Sequence, residues 1–234
     1  MLATPNPWQS RILVFDVNET LLDVNALAPH FERVFGSSET LKQWFSQTLL
    51  YSQTLTLIGK YVDFTDIALR SLEMTAQTLS AHLSEEDAAS IRFAMKTLPP
   101  HRDVPWALRR LRQAGFRLIA LTNSPQPLVE AQMQSAELTP EFEKIFSVDF
   151  IRKYKPHPDV YRYVAADLKV KTSEVLMIAA HPWDLMGADA AGCNVAYLER
   201  TGTSWNYLTP KPQVSGRDME EVATRLISLA AGAK

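Results

Sequence analysis

Side chains able to do chemistry sit wherever an apolar run of this chain ends. Asp16 and Thr20 follow Ile12-Leu13-Val14-Phe15, and Thr122 and Asn123 follow the run Phe116 to Leu121. Lys155 lies in Arg152-Lys153-Tyr154-Lys155-Pro156, and His181 and Asp184 come after Val175 to Ala180. An acid directly after a buried-type strand is well placed to react, because ligands of open α/β sheets bind beyond the carboxyl ends of the strands. Taken singly, each residue also has a bland reading. Asp16 ends a strand or caps a turn, Thr122 and Asn123 are turn residues, Lys155 is a solvated lysine and Asp184 is an N-cap. What sets them apart is that all fall at one end of the same kind of element, where they could converge on one crevice.

The elements that would position them are legible in the hydrophobic pattern. Four consecutive apolar residues at 12–15 predict a strand buried on both faces, as in a parallel sheet. From about Val24 the pattern becomes helical. Leu41, Trp44, Phe45, Thr48, Leu49, Ser52 and Leu55 follow the i, i+3, i+4, i+7 rule, and Tyr61, Phe64, Ala68, Leu72 and Thr75 continue it. Ser84-Glu85-Glu86-Asp87 reads as a helix start, and Thr97-Leu98-Pro99-Pro100 as a break. Beyond it, strands at 116–121, 145–148, 175–180 and 195–198 alternate with helices, the first ending at Gly115 and the last running over about 218–231. This alternation predicts an α/β fold, a doubly wound parallel sheet with right-handed crossovers. The expected organisation is an α/β core domain of residues 1–23 and 97–234, with a helical cap domain, 24–96, inserted after the first strand.

Composition narrows the functional classes. The chain has 234 residues, 46% hydrophobic and 21% charged, with net charge −2. No basic block suggests nucleic acid or an anionic membrane surface, and no stretch has the length of a membrane span. Met1 to Ser10 lacks an apolar signal-peptide core. The single cysteine, Cys193, rules out an internal disulfide framework and suits a reducing cytoplasm. A soluble cytoplasmic protein acting on a small molecule is expected.

Asp-x-x-x-Thr-Leu after the first strand, Thr-Asn-Ser after the second, Lys-Pro before a helix and Asp-x-x-Gly-Ala after the fourth strand resemble the haloacid dehalogenase superfamily. The likeness runs from about Arg11 to Arg200. It is finest to the type II, L-2-haloacid dehalogenase-like branch, through Tyr61-Val62-Asp63-Phe64, Lys155-Pro156 with Val160-Tyr161, and Trp183-Asp184. The resemblance implies that Asp16 attacks carbon to form an ester that water then hydrolyses, splitting one hard displacement into two easier steps. Lys155 would keep that carboxylate ionised, Thr20 and Thr122 would hold its oxygens, and Asp184 would orient Lys155 and position or activate water. Tyr161 would lie near the substrate carboxylate, Asn123 and Phe64 around the departing halide, and Trp183 in the pocket wall. No metal and no organic cofactor are implied. A homodimer is a further implication, since the family often dimerises through cap helices.

Departures from the family pattern sharpen these expectations. Phosphatases of the superfamily carry a second aspartate where this chain has Asn18, and an acidic Mg²⁺ ligand where it has Ala179, which cannot bind a hard cation. Attack on carbon is therefore favoured over phosphoryl transfer. Within the branch, Phe45 stands where an arginine on the long cap helix receives the halide, which weakens attraction for anions. Asn18 replaces a pocket tyrosine and Ala179 a serine. His181 replaces an asparagine associated with the hydrolytic water, and would add a base titrating near neutrality. The leading expectation is a metal-independent hydrolase of 2-haloacid dehalogenase type. The same chemistry on another small substrate, a phosphatase and a non-enzymatic binding module are the competitors.

Overall fold

The computed structural model describes residues 11–200, 204–205, 208–209 and 211–232. The expectation about a leader segment at Met1 to Ser10 lies outside these residues. Six parallel strands form one sheet: β1 (Ile12–Phe15), β2 (Arg117–Thr122), β3 (Lys144–Ser147), β4 (Val175–Ala179), β5 (Asn194–Leu198) and β6 (Val214–Gly216). Their order is β3-β2-β1-β4-β5-β6. The chain therefore leaves β1 in one direction towards β2 and β3 and returns on its other side with β4. That reversal opens a crevice beyond the carboxyl end of β1, the place where such sheets bind ligands.

The alternation of side chains along each strand explains why both faces are buried. Leu13 and Phe15 of β1 join Leu118, Ala120, Leu176 and Ile178 on one face. There α5 (Val104–Gln113) contributes Leu108 and Leu111, and α9 (Met219–Gly232) contributes Val222 and Leu226. Ile12 and Val14 join Ile119, Leu121 and Met177 on the other face, under Val160 and Val164 of α7 (Pro158–Asp167) and Leu185 and Ala188 of α8 (Pro182–Ala190). The helix α6 (Gln126–Ser135) follows β2 and packs Val129 and Met133 on the first face. Gly115, expected to end α5, has φ +84°, a left-handed turn into β2 that a side chain would oppose.

Between β1 and α5 lie four helices: α1 (Ala28–Phe35), α2 (Thr40–Leu57), α3 (Phe64–Thr78) and α4 (Glu85–Lys96). The expected start at Ser84 is a capping box, with Ser84 and Asp87 each holding the other's backbone N–H. The predicted face of α2 is the inward one. Leu41, Trp44, Phe45, Thr48 and Ser52 are buried, and Trp44 donates to the Ala68 carbonyl of α3 at 2.8 Å. This helical insert is tied to the loop that carries Lys155. The Tyr154 N–H donates to Thr56 Oγ1 at 2.8 Å, and its hydroxyl donates to the Val62 carbonyl at 2.5 Å. No helix among the described residues is long and apolar enough to cross a membrane.

One close approach locks α8 against the same loop. A Cβ built on Gly187 would lie 2.3 Å from the Pro156 carbonyl oxygen and 2.6 Å from Pro156 Cβ. Gly187→Ala is therefore expected to lower stability by about 1–3 kcal/mol, the usual cost of overpacking. It should also displace Lys155. Chemical denaturation checks the first effect, and loss of activity beyond the loss of folded protein checks the second.

Candidate active site

Asp16 is the first residue past β1, and its backbone N–H still bonds the Ile178 carbonyl of β4 at 3.0 Å. The strand thus delivers the carboxylate rigidly to the mouth of the crevice. Its two oxygens are held differently. Oδ1 accepts from Lys155 Nζ at 2.7 Å, whereas Oδ2 accepts from Thr20 Oγ1 at 2.7 Å and faces His181 Nδ1 at 3.3 Å. Thr20 is fixed in turn, because its hydroxyl oxygen accepts from the Ala180 N–H at 2.9 Å and its carbonyl accepts from Arg200 at 2.9 Å.

Lys155 is 1% exposed and makes three hydrogen bonds, to Asp16 Oδ1, to Asp184 Oδ2 at 2.7 Å and to the Leu121 carbonyl at 3.1 Å. An ammonium has three protons to donate, so this one is fully used inside the protein. Its influence on a ligand is electrostatic. Asp184 is completely buried behind it, and Asp184 Oδ1 accepts from the Tyr161 hydroxyl at 2.5 Å. The Lys155 backbone N–H donates to Asn123 Oδ1 at 3.0 Å, which joins the turn after β2 to the lysine loop.

Ionisation follows from this packing. Burial alone would raise the pKa of Asp16, but Lys155 and His181 outweigh it and hold the carboxyl far below its ordinary range. Burial likewise opposes the charge on Lys155, and Asp16 and Asp184 overcome it, so the lysine stays protonated. Asp184 moves the other way: burial and the nearby charge of Asp16 push it up against the pull of Lys155. His181 sits between two carboxylates, with Glu19 Oε2 2.5 Å from its Nε2. Burial works against its charge, yet the bonds to Asp16 and Glu19 lift its pKa to about 10. The expected base near neutrality is thus a cation near neutrality.

A small cavity lies over Asp16, lined by Asn18, Phe45, Leu49, Phe64, Thr122, Asn123, Lys155, His181 and Trp183. About 20 Å³ of it is open to the centre of a water molecule, room for about one water. Asp16, Asn18, Phe45, Phe64, Thr122, Asn123, Lys155, His181 and Trp183 therefore share one space. Thr20, Asp184 and Tyr161 stand behind it. Three expectations are corrected by these contacts. Thr122 does not hold Asp16: its hydroxyl accepts from the Ser124 N–H at 3.1 Å and shapes the turn. Tyr161 does not face the cavity: its hydroxyl bonds both the side chain and the carbonyl of Asp184. Asp184 orients Lys155 as expected but does not line the cavity where a water would sit.

Phe45 is both part of the apolar face of α2 and part of the cavity wall, with its ring centroid 6.4 Å from that of His181. No arginine lines the cavity among the described residues. The cations there are Lys155 and His181. Two contributors escaped sequence reasoning. Ser124 accepts from the Asn18 amide at 3.2 Å, and Glu19 binds His181. Glu19 stands inside the first motif, but only its backbone conformation, φ 63°, aims it there.

The chain matches the family model of haloacid dehalogenase-like hydrolases over residues 11–192. An (S)-2-haloacid dehalogenase of Xanthobacter autotrophicus is 34% identical over 81% of this chain and 75% of the relative. (S)-2-haloacid dehalogenase 1 of Pseudomonas sp. (strain CBS-3) is 32% identical over 84% and 88%. Among solved structures, the L-2-haloacid dehalogenase from Xanthobacter autotrophicus with chloropropionic acid covalently bound superposes with a TM-score of 0.85. That structure is 27% identical, covering 93% of this chain and 98% of the other.

Lys155→Ala would leave two buried carboxylates facing each other without their cation, and it is expected to destabilise by about 3–5 kcal/mol in urea denaturation. The pH dependence of stability has two limbs. The contribution of Asp16, whose pKa is depressed from 3.8, is present above pH 3.8 and fades as pH falls further. That of His181, raised from 6.5, is complete below 6.5 and is lost as pH climbs through about 10. His181→Asn should remove the alkaline limb and keep the acid one, as read from denaturation midpoints across pH.

Proposed function

The chain belongs to the haloacid dehalogenase-like hydrolases, and from that premise we propose that Asp16 is the nucleophile of a metal-independent hydrolase of 2-haloacid dehalogenase type. The observation that carries this reading is a carboxylate kept ionised by a saturated lysine at the floor of a small, largely apolar cavity. A carboxylate held in a fixed direction beside a bound substrate is an effective nucleophile towards carbon, because its orientation is set in advance. In the first step Oδ1 bonds to C2 of a small 2-halo carboxylic acid and the carbon–halogen bond breaks with its electron pair. In the second, water attacks the Asp16 carboxyl carbon and frees the 2-hydroxy acid.

The surroundings fit these steps. The rings of Phe45, Phe64 and Trp183 shield the reacting carbon from bulk water, and ring edges are mildly positive towards a departing halide. The Asn123 NH₂, which has no protein partner among the described residues, supplies a donor beside them. Lys155 and His181 offset the charge of Asp16 and so lower its repulsion of the substrate carboxylate. The covalently bound chloropropionic acid of the Xanthobacter relative supports the ester intermediate by analogy.

A second reading is favoured by Phe45. With an aromatic wall on α2 and no arginine lining the cavity among the described residues, the same ester chemistry would serve a different small substrate or leaving group.

Halide release from L-2-chloropropionate or a haloacetate decides between the readings. The wild type is expected to release halide and Asp16→Ala none above background. Equal release by the two sinks the dehalogenase reading. Turnover in H₂¹⁸O tests the chemistry shared by both: the Asp16 peptide should gain ¹⁸O, and an unlabelled peptide after many turnovers counts against an Asp16 ester.

A further inference from the structure

The pair Glu19–His181 sits against Asp16 Oδ2, the oxygen that Thr20 also holds. Glu19 adopts φ 63°, a left-handed conformation that costs a side-chain-bearing residue free energy and that glycine would adopt freely. The Glu19 N–H closes a turn on the Leu22 carbonyl at 2.8 Å, and the same conformation brings Glu19 Oε2 to 2.5 Å from His181 Nε2, while His181 Nδ1 faces Asp16 Oδ2 at 3.3 Å. Ionised carboxylates only accept hydrogen bonds, and a neutral imidazole has one N–H. Both contacts can be hydrogen bonds only when both ring nitrogens carry protons. Among the described residues the other groups against the ring are uncharged, Phe45 from α2 and Trp183 from α8, and Lys155 bonds Asp16 on its other oxygen.

We propose that Glu19 is a positioning residue that keeps His181 doubly protonated, so that His181 Nδ1–H and Thr20 Oγ1–H together form the oxyanion cradle for hydrolysis of the Asp16 ester. The idea rests on the ester chemistry proposed above. Oδ2 already has two donors and Oδ1 one, so Oδ1 keeps the free lone pair that bonds to substrate carbon and Oδ2 becomes the ester carbonyl oxygen. When water oxygen bonds to Cγ, the carbonyl electron pair moves onto Oδ2, where the two donors already point. The pair then returns, the Cγ–Oδ1 bond breaks and Oδ1 departs with the product. One water proton ends on the product hydroxyl, the other leaves to solvent, and Asp16 is again a carboxylate. Donors aimed at the developing oxyanion beforehand need no reorganisation when it forms. His181 is thus a donor in hydrolysis, not the base.

The test has a spectroscopic and a kinetic arm. In ¹⁵N spectra at pH 8, with the signal assigned by His181→Asn, the wild type should show both His181 ring nitrogens protonated, and Glu19→Gln should show one deprotonated. A neutral His181 in the wild type overturns the proposal whatever the enzyme's substrate. In quenched-flow experiments with L-2-chloropropionate, Glu19→Gln and His181→Asn should slow ester hydrolysis about 10²-fold. Ester formation should change less, so esterified Asp16 accumulates in the mass spectrum. The wild-type hydrolysis rate should fall on the alkaline side as His181 loses its proton. A rate that instead rises through that titration, or hydrolysis unaltered in Glu19→Gln, overturns it. Glu19→Gly relieves the backbone, which offsets part of the lost ion pair, and should slow hydrolysis in protein that circular dichroism shows still folded, which separates the role from folding. If the wild type forms no ester, the dehalogenase reading fails, and the ¹⁵N arm still decides whether Glu19 holds His181 as a cation.

Discussion

The ammonium of Lys155 is the constraint on which the site is built. It is buried, it donates to two carboxylates and a carbonyl, and each of those acceptors belongs to a different element: Asp16 after β1, Leu121 in β2 and Asp184 in α8. A buried ion cluster of this kind is poor evidence for stability, because desolvation of three charges offsets much of their attraction. Its value is geometric. Three strand-end elements and the loop before α7 must be in register for the three bonds to form together, and they are what lets Asp16 be buried as a carboxylate.

The fold supplies that register economically. The strand order places β1 between β2 and β4, so the three strand ends that carry Asp16, Thr122 and the approach to His181 are adjacent. The helix α8 presses its Gly187 backbone onto Pro156, and the helical insert holds Tyr154 through Thr56 and Val62. The lysine loop is therefore clamped from the sheet side and from the insert side. Phe45, Leu49 and Phe64 of the insert then close the cavity over Asp16.

Charge in this cavity departs from the sequence-based expectation at His181, which is a cation and not a base near neutrality. The wall contributed by α2 is aromatic, and positive charge comes from the floor, from Lys155 and His181. Both cations are tied to carboxylates, so neither offers a free N–H to a ligand. They bias the potential of the cavity without gripping a substrate. What the cavity offers a ligand directly is the shape of its aromatic walls and the amide of Asn123.

Much of this was legible in the chain itself. Apolar runs of four or more residues identify β1, β2 and β4, because strands covered on both faces are apolar along their buried length. The α2 face was readable because helical spacing is a local property. The three-residue β6 left no such trace, since Val214-Ser215-Gly216 is too short to show a period. Asp16, Thr20, Lys155 and Asp184 were found because they stand at fixed offsets from strand ends and from Pro156. The partners of Thr122 and Tyr161 were not, because a hydroxyl chooses among acceptors by fractions of an ångström that residue order does not encode. The charge of His181 and the role of Glu19 were hidden for a related reason. Sequence by itself determined which groups gather at the carboxyl end of the sheet. Only the tertiary structure decided which of them face the cavity, which stand behind it, and that two carboxylates, 165 and 162 residues away from it in the chain, share one imidazole. Side-chain ionisation depends on the neighbours that folding supplies.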